Sequence, residues 1–444
     1  MRDRFGGPPA LWRCLAVVVI GLAAFRIVGY ISYLDPPALT ENDYSPDYVS
    51  AKEWRAGGDP YAPLPELNEK YFGPDDATAR QYEPDQRNPH PPSLLLLYAP
   101  LSAGSIEIAR LILLVVMLGS TFLAMFLFLR EIGIVTPTAA VLGIGTLALP
   151  IVGFDQQWAQ MNGLLLLSLV LAWRDLRRGH DLRAGFLLGA ATALKIYPWM
   201  FFIPLLRMKR MRTAGWMVAS AIGFTLLSVA AMGSNAARTF LEVATPGNVE
   251  IWGAAPNSIS LVTLPFRLFA SNRWLDPSVA VPSYVGWIGV VAVVACLIAA
   301  WHNSAAVSKD PFWAVVPWMI LATPIAWPHY LVAALPLGLL MLLRSGSASR
   351  QLQVACGIGF LFFAVGPSYL DWLSGVGGFS LKDYGNVVAG TTILMAGLGV
   401  MGIADLRGNR VASGGRGDAD DRVAAGFGDR DVEPGSQLIR TQNA

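Results

Sequence analysis

Two carboxylates four residues apart, Asp43 and Asp47, open a polar loop that reads Asn42-Asp43-Tyr44-Ser45-Pro46-Asp47-Tyr48 and continues to Gly57-Gly58-Asp59-Pro60-Tyr61. A carboxylate held just outside an apolar span is suited to act as a general base toward an incoming hydroxyl. Each acid also has a plainer reading: Asp43 as a solvated loop residue, Asp47 as an acid complementing a helix N-terminus, and Asp59 as a turn residue before Pro60. Lys195, in Ala193-Leu194-Lys195-Ile196-Tyr197-Pro198, has apolar neighbours on both sides and needs an anion or a cavity, unless it snorkels toward headgroups. His90, in Asn88-Pro89-His90-Pro91-Pro92-Ser93, either touches a phosphate or sits at the interface, and the prolines around it enforce an extended backbone. The turn from Asp155 to Asn162 presents Gln160 and Asn162, amides of a kind that bind sugar hydroxyls and also cap helices. His329, in Thr323-Pro324-Ile325-Ala326-Trp327-Pro328-His329-Tyr330, marks the apex of a second helical pair. Together with Asn257, these groups suit removal of a proton from an alcohol beside a held anion.

The elements that must position them are membrane helices. Of the 444 residues, 54% are hydrophobic and 14% charged, with a mean hydropathy of +0.47, far from the composition of a soluble domain. A net charge of +2, with Lys and Arg confined to short loops, excludes a nucleic-acid surface. Cys14, Cys296 and Cys356 fall in apolar runs, which indicates neither a disulfide framework nor a cysteine metal site. The apolar run from about Leu15 to Leu34 follows three arginines but is long enough to span a bilayer, so it reads as a first helix rather than a cleaved signal.

Charge asymmetry orients the chain. Arg130, the cluster from Arg174 to Arg183, the cluster from Arg207 to Arg212, Lys309, Arg344 and Arg350 lie in short loops and are assigned to the cytoplasm. The long loop at about 35–105, the turn 154–160 and the loops 233–258, 271–277 and 371–386 face the exterior. Spans are expected near 15–34, 106–129, 137–152, 161–173, 184–195, 196–206, 213–232, 283–301, 311–326, 329–343, 352–370 and 386–404. The expectation is an all-α polytopic protein of about twelve crossings, both termini cytoplasmic, with amphipathic helices in the long first exterior loop. The runs 184–195 and 196–206 read as half-length helices that break at Lys195 and Pro198, and 258–270 reads as re-entrant or interfacial. In the first loop, Ser45-Pro46 reads as an N-cap followed by the first helical residue, Gly57 as the helix end, and the helix as one lying in the headgroup plane. Residues 1–406 form the membrane domain, and 407–444, rich in Gly, Asp and Arg, form a disordered cytoplasmic tail.

The order of these motifs resembles glycosyltransferase family 87: the acidic-aromatic start with Gly-x-Asp-Pro-Tyr downstream, His-Pro-Pro-Ser, Gln-x-Asn, Leu-Lys-Ile-Tyr-Pro, Pro-Asn-Ser-Ile-Ser and Trp-Pro-His-Tyr, over roughly residues 10 to 405. The resemblance implies a GT-C architecture and transfer of a hexose, mannose above all, from a polyprenyl-phosphate sugar to a glycolipid or glycan hydroxyl. Counting back sixteen residues from Asp59 lands on Asp43, with Tyr44 and Tyr48 in aromatic positions and Asp47 where the family has a tyrosine. It therefore implies Asp43 as the base, with Asp47 as the alternative, and places His329 near the donor. Lys195 and His329 would face the donor phosphate, and Tyr48, Tyr61, His90, Gln160, Asn162, Tyr197, Asn257 and Tyr330 fall in motifs expected to contact substrate. A phosphate leaving group departs without a general acid, so one base and nearby positive charge suffice for inversion. No metal and no cofactor beyond the lipid-linked donor is expected, and neither an acidic cluster nor a Gly-rich nucleotide fingerprint is visible. The partners expected are the donor lipid, the acceptor and membrane lipid, with no nucleic acid. The expected setting is the plasma membrane, with the site facing outward. A secondary transporter or lipid flippase, and a polymerase or ligase of lipid-linked oligosaccharide, are the competing readings; the long exterior loop and the lack of an internal repeat weigh against transport.

Overall fold

Long apolar runs must close their backbone hydrogen bonds within themselves, and helices do so. The computed structural model describes residues 9–35, 40, 42–74, 82–243, 255, 258–265, 285–305, 311–345, 397 and 399, and every regular element among them is helical. Helix α1 spans Pro9–Tyr30, and the loop after it carries α2 (Tyr44–Arg55), α3 (Leu64–Phe72) and α4 (Pro92–Tyr98). Then come α5 (Ile106–Glu131), α6 (Thr136–Thr146), α7 (Pro150–Gln157), α8 (Asn162–Arg177) and α9 (Asp181–Leu194). Beyond a 3-10 turn at Tyr197–Phe201 lie α10 (Phe202–Arg207), α11 (Met211–Met232), α12 (Ser234–Glu242) and α13 (Val285–Ala305). Helix α14 (Val316–Ala322), a 3-10 segment (Pro328–Ala334) and α15 (Leu335–Ser345) follow, and short 3-10 turns lie at Ile31–Leu34, Leu101–Ala103 and Trp313–Val315.

Four of these helices are long and apolar enough to cross a membrane: 13–34, 106–131, 211–232 and 287–304. Their outer faces match that solvent, since Phe25 is 76% and Trp287 71% exposed, surfaces that lipid covers and water does not favour. Helices α6 and α7 qualify only as a pair, bent by 53°. The single span expected at 137–152 is thus two pieces, because Pro150 lacks the N–H that would continue α6 and instead starts α7. The expected spans at 352–370 and 386–404, the loops 271–277 and 371–386, Lys309 and the tail lie outside the described residues, apart from single positions.

Close helix packing follows from small residues. A Cβ at Gly185 would sit 2.6 Å from the Thr213 carbonyl oxygen, and one at Gly189 would run into Met217, so this Gly-x-x-x-Gly face lets α9 and α11 touch backbone to backbone. Gly163 does the same for α8 against α5. A buried aromatic cluster fills the space between α5, α8 and the 3-10 turn Trp313–Val315 before α14: Phe128 lies 5.2 Å from Trp173 and 5.8 Å from Trp313, ring centre to ring centre. The bundle has two chemically different ends. Helices α5 and α8 finish at Arg130, Glu131, Arg174 and Arg177, where Glu131 pairs with Arg174 at 3.0 Å and Arg178 at 2.7 Å. Asn162 begins α8 at the other end, and α9, which runs back from Asp181, finishes there at Lys195.

Helix α2 is a packed element rather than a peripheral one. Its residues Tyr44–Ala51 and Glu53 are buried beneath α3 and the segment leading to α4. Glu53 accepts hydrogen bonds from Lys70 (2.6 Å) and Tyr71 (2.8 Å), which ties its last turn to α3. The helix ends as expected, with Gly57 at φ +85. Segment 258–260 is non-helical and buried, and the chain there runs beside the end of α14, with the Ile259 N–H donating to the Ala326 carbonyl (2.6 Å) and the Leu261 N–H to Leu321 (2.9 Å).

Candidate active site

Three cap-forming residues precede or open α2, and the one that caps it decides which are free for chemistry. Asn42 Oδ1 accepts the backbone N–H groups of Tyr44 (2.9 Å) and Ser45 (3.2 Å). Ser45, the cap expected from sequence, instead turns its hydroxyl to Asn68 Oδ1 of α3 at 3.4 Å. With capping done by Asn42, the Asp43 carboxylate makes no bond to its own helix and projects toward the end of the bundle.

There Asp43 Oδ2 accepts a 2.8 Å hydrogen bond from Gln160 Nε2, while Gln160 Oε1 accepts from Lys195 Nζ. One amide thus joins a partly exposed acid to a buried cation, and residues 117 and 35 positions from Gln160 in sequence meet through it. Lys195 can occupy this place because α9 stops at Leu194 and Lys195 itself is extended (φ −139, ψ 123), with Pro198 preventing resumption of an α-helix. Gln160 is aimed by a strained turn: Ala159 has φ +54, an αL conformation that costs a non-glycine residue roughly 1–2 kcal/mol. The turn is held by buried Asp155, which accepts from Asn162 Nδ2 (2.6 Å) and Gln156 Nε2 (3.2 Å), and whose carbonyl accepts the Gln160 N–H (3.0 Å). Asn162 Oδ1 in turn accepts from the Tyr197 hydroxyl at 3.2 Å.

An aromatic floor lies under the lysine. Its Nζ sits 4.7 Å from the centre of the Tyr330 ring, which stacks on Tyr197 at 4.8 Å. His329 is buried beside Tyr330 (5.1 Å between ring centres), and neither of its ring nitrogens has a hydrogen-bond partner among the described residues. Asp47, one turn along α2 from Asp43, is 2% exposed and closed off: its Oδ1 accepts from Asn88 Nδ2 (3.0 Å) and pairs with His90 Nδ1 (2.8 Å). The Tyr61 hydroxyl donates to the His90 carbonyl (2.8 Å) and the Tyr48 hydroxyl to the Gly104 carbonyl (2.8 Å), so both tyrosines hold loops in place. Asn257 lies outside the described residues. Among the described residues no three His, Cys, Asp or Glu side chains converge as metal ligands would.

The surroundings tune Asp43. Burial pushes its carboxyl from the ordinary 3.8 up to about 6, and the nearby Asp47 charge adds to the rise, against the pull of His90, Lys195 and the Gln160 hydrogen bond. An acid poised there is ionised at neutral pH and still basic enough to draw a proton from a hydroxyl as that hydroxyl attacks.

The family model for glycosyltransferase family 87 matches residues 89–326, more than half of the chain. The chain belongs to glycosyltransferase family 87. No curated protein and no solved structure matches it. The family 87 match contains His90, Gln160, Asn162, Lys195 and Tyr197; Asp43, Asp47, Tyr48 and Tyr61 precede it, and His329 and Tyr330 follow it. Folding therefore brings groups from outside the matched stretch onto both sides of the Gln160–Lys195 pair within it. Two residues of this glycosyltransferase escaped the reading of its sequence. Asp155 anchors the turn, and fully buried Arg110 of α5 donates through Nη2 to the Gln156 carbonyl while its Nε and Nη1 meet no partner among the described residues. The signal for Arg110 was present, an arginine near the start of an apolar span.

Proposed function

We propose that this family 87 glycosyltransferase moves a hexose, mannose in the first instance, from a polyprenyl-phosphate donor to a hydroxyl of a glycolipid or glycan, with inversion. The observation that carries the proposal is the linkage of Asp43 through Gln160 to Lys195, which sets one base and one buried cation on either side of a single amide. In the proposed reaction the acceptor oxygen loses its proton to Asp43 and attacks the anomeric carbon, and the sugar–phosphate bond breaks with its electron pair on the phosphate oxygen. Lys195 and a His329 N–H stabilise the charge that collects there. His329 is suited to this because its nitrogens are buried without partners among the described residues, a condition a ligand would relieve. Asp47 is the weaker candidate for the base, since it is sealed from the surface and both Asn88 and His90 bond its Oδ1. The chemistry needs no bound metal when fixed cations face the phosphate, so transfer should survive a chelator.

The setting proposed is the GT-C architecture with about twelve crossings in the plasma membrane, both termini cytoplasmic. The site then faces the exterior, because it lies at the end of α5, α8 and α9 away from the arginine-rich loops. The test is transfer from a lipid-linked radiolabelled sugar in membranes. Asp43→Asn should abolish product while the protein still inserts, and Asp47→Asn should retain the larger share of activity; an active Asp43→Asn enzyme overturns the assignment.

A further inference from the structure

Asp47 and His90 form a second polar unit that the transfer chemistry leaves without a task. The carboxylate of Asp47 lies 2.8 Å from His90 Nδ1, and Asn88, which also donates to Asp47, donates to Ser50 Oγ (3.1 Å) and accepts the His90 backbone N–H (2.9 Å). A carboxylate on Nδ1 makes that nitrogen the protonated one, so in the neutral ring Nε2 carries a lone pair. Nε2 has no protein partner among the described residues, and the His90 side chain is 22% exposed whereas Asp47 is sealed. The dyad thus presents one hydrogen-bond acceptor of fixed type to the open side of the loop.

Its position relative to Asp43 follows from helix geometry. Asp43 already has helical backbone angles (φ −73, ψ −10), so Asp43 and Asp47 stand on one face with Cβ atoms about 5–6 Å apart. His90, bonded to Asp47, lies close enough to the Asp43 carboxylate to border the same opening. Gln160 and Lys195 close the opposite side, and Tyr330 lies on the floor. Two acceptors on one opening, Asp43 on the helix and His90 Nε2 held through Asp47 one turn along it, each taking an O–H bond of about 2.8 Å, suit two hydroxyls on adjacent carbons.

We infer that the acceptor of this enzyme is a vicinal diol, a sugar or related polyol, whose attacking hydroxyl lies on Asp43 while the neighbouring hydroxyl donates to His90 Nε2. The inference rests on Asp43 as base. His90 is then a specificity residue that touches the acceptor, and Asp47 a positioning residue that fixes its tautomer.

The experiment compares octyl mannoside with its monodeoxy analogues as acceptors in wild-type enzyme, His90→Ala, His90→Gln and Asp47→Asn. In the wild type one analogue, lacking the attacked hydroxyl, gives no product, and one lacking its neighbour is used at least about tenfold less efficiently in kcat/KM. His90→Ala should erase the second penalty alone, through a raised KM for the intact acceptor. His90→Gln, whose amide oxygen reaches the place of Nε2, should retain it, and Asp47→Asn should weaken it. A penalty that persists in His90→Ala overturns the inference, as does a wild type indifferent to every neighbouring hydroxyl or an equal rate on octanol. If His90→Ala does not fold, loss of the penalty in folded His90→Gln also overturns it. An active Asp43→Asn enzyme would sink the base assignment separately, since the deoxy comparison does not involve that variant.

Discussion

Replacing Asp43 by Asn should make the protein more stable at neutral pH while it destroys transfer. The folded state raises the Asp43 carboxyl from 3.8 to about 6, so it binds the proton more tightly than the unfolded chain does. Below the ordinary value the group is neutral in both states and costs nothing. As pH rises from about 4 to about 6 the unfolded chain ionises freely while the folded one resists, and native stability falls; above about 6 the loss is complete and constant. A rise of about two pH units corresponds to about 3 kcal/mol, and screening of the partly exposed carboxylate makes that an upper bound. Asparagine resembles the neutral acid in shape and can still accept from Gln160 Nε2, so Asp43→Asn should remove most of this cost. Thermal unfolding in detergent at pH 4 and pH 7.5 is the assay. The variant should melt with the wild type at the lower pH and a few degrees above it at the higher. A variant less stable than wild type at pH 7.5, or a gain that is the same at both pH values, would show that Asp43 is not held in an environment hostile to its charge.

The same titration should govern rate. Transfer should fall about tenfold per unit as pH drops below about 6, measured as initial rate against pH; an inflection near 4 would contradict the burial of the base. Lys195→Met should lower transfer by about a hundredfold and also shift that inflection upward, because the lysine favours the Asp43 carboxylate; an unmoved inflection would break the proposed linkage. Gly163→Ala would place a Cβ 2.5 Å from the Met117 carbonyl oxygen and 2.6 Å from Thr121 Oγ1. It should destabilise the protein by about 1–3 kcal/mol and reduce transfer by shifting the start of α8, which calorimetry and rate assays on the same sample would reveal.

What the sequence disclosed about this fold was whatever a residue does to its own backbone. Pro198 and Lys195 announced the end of α9, and Gly57 the end of α2, because missing N–H groups and positive φ act locally. The cap of α2 was not legible in the same way. Asn42, Asp43 and Ser45 are all good caps, and Ser45 is withdrawn only because Asn68 of α3 reaches it from 23 residues away. The burial of α2 was hidden for a related reason: an amphipathic helix suits a headgroup plane or a protein interior equally, and what covers α2 comes from α3 and Asn88.

The site divides along the same line. Asp43 and Lys195 stood out because charge beside apolar runs demands a reason, but nothing local indicates that Gln160 would connect them. Asp47 does stand in the first turn of α2, as an acid complementing the helix N-terminus should, but its hold on a histidine 43 positions away is not written in that turn. Asp155 looked like a turn residue, yet it is the buried anchor of the turn that aims Gln160. Asp43, Lys195 and Asp47 are polar groups whose partners are distant in sequence and whose burial would be unfavourable without them, while Asp155 has near partners whose role shows only in the folded turn. In a chain this apolar, the residues that build a site are therefore best sought by asking which polar groups would be left unpaired if their neighbours were only lipid. Arg110 meets that criterion next after the site residues, since its Nε and Nη1 are buried with no partner among the described residues.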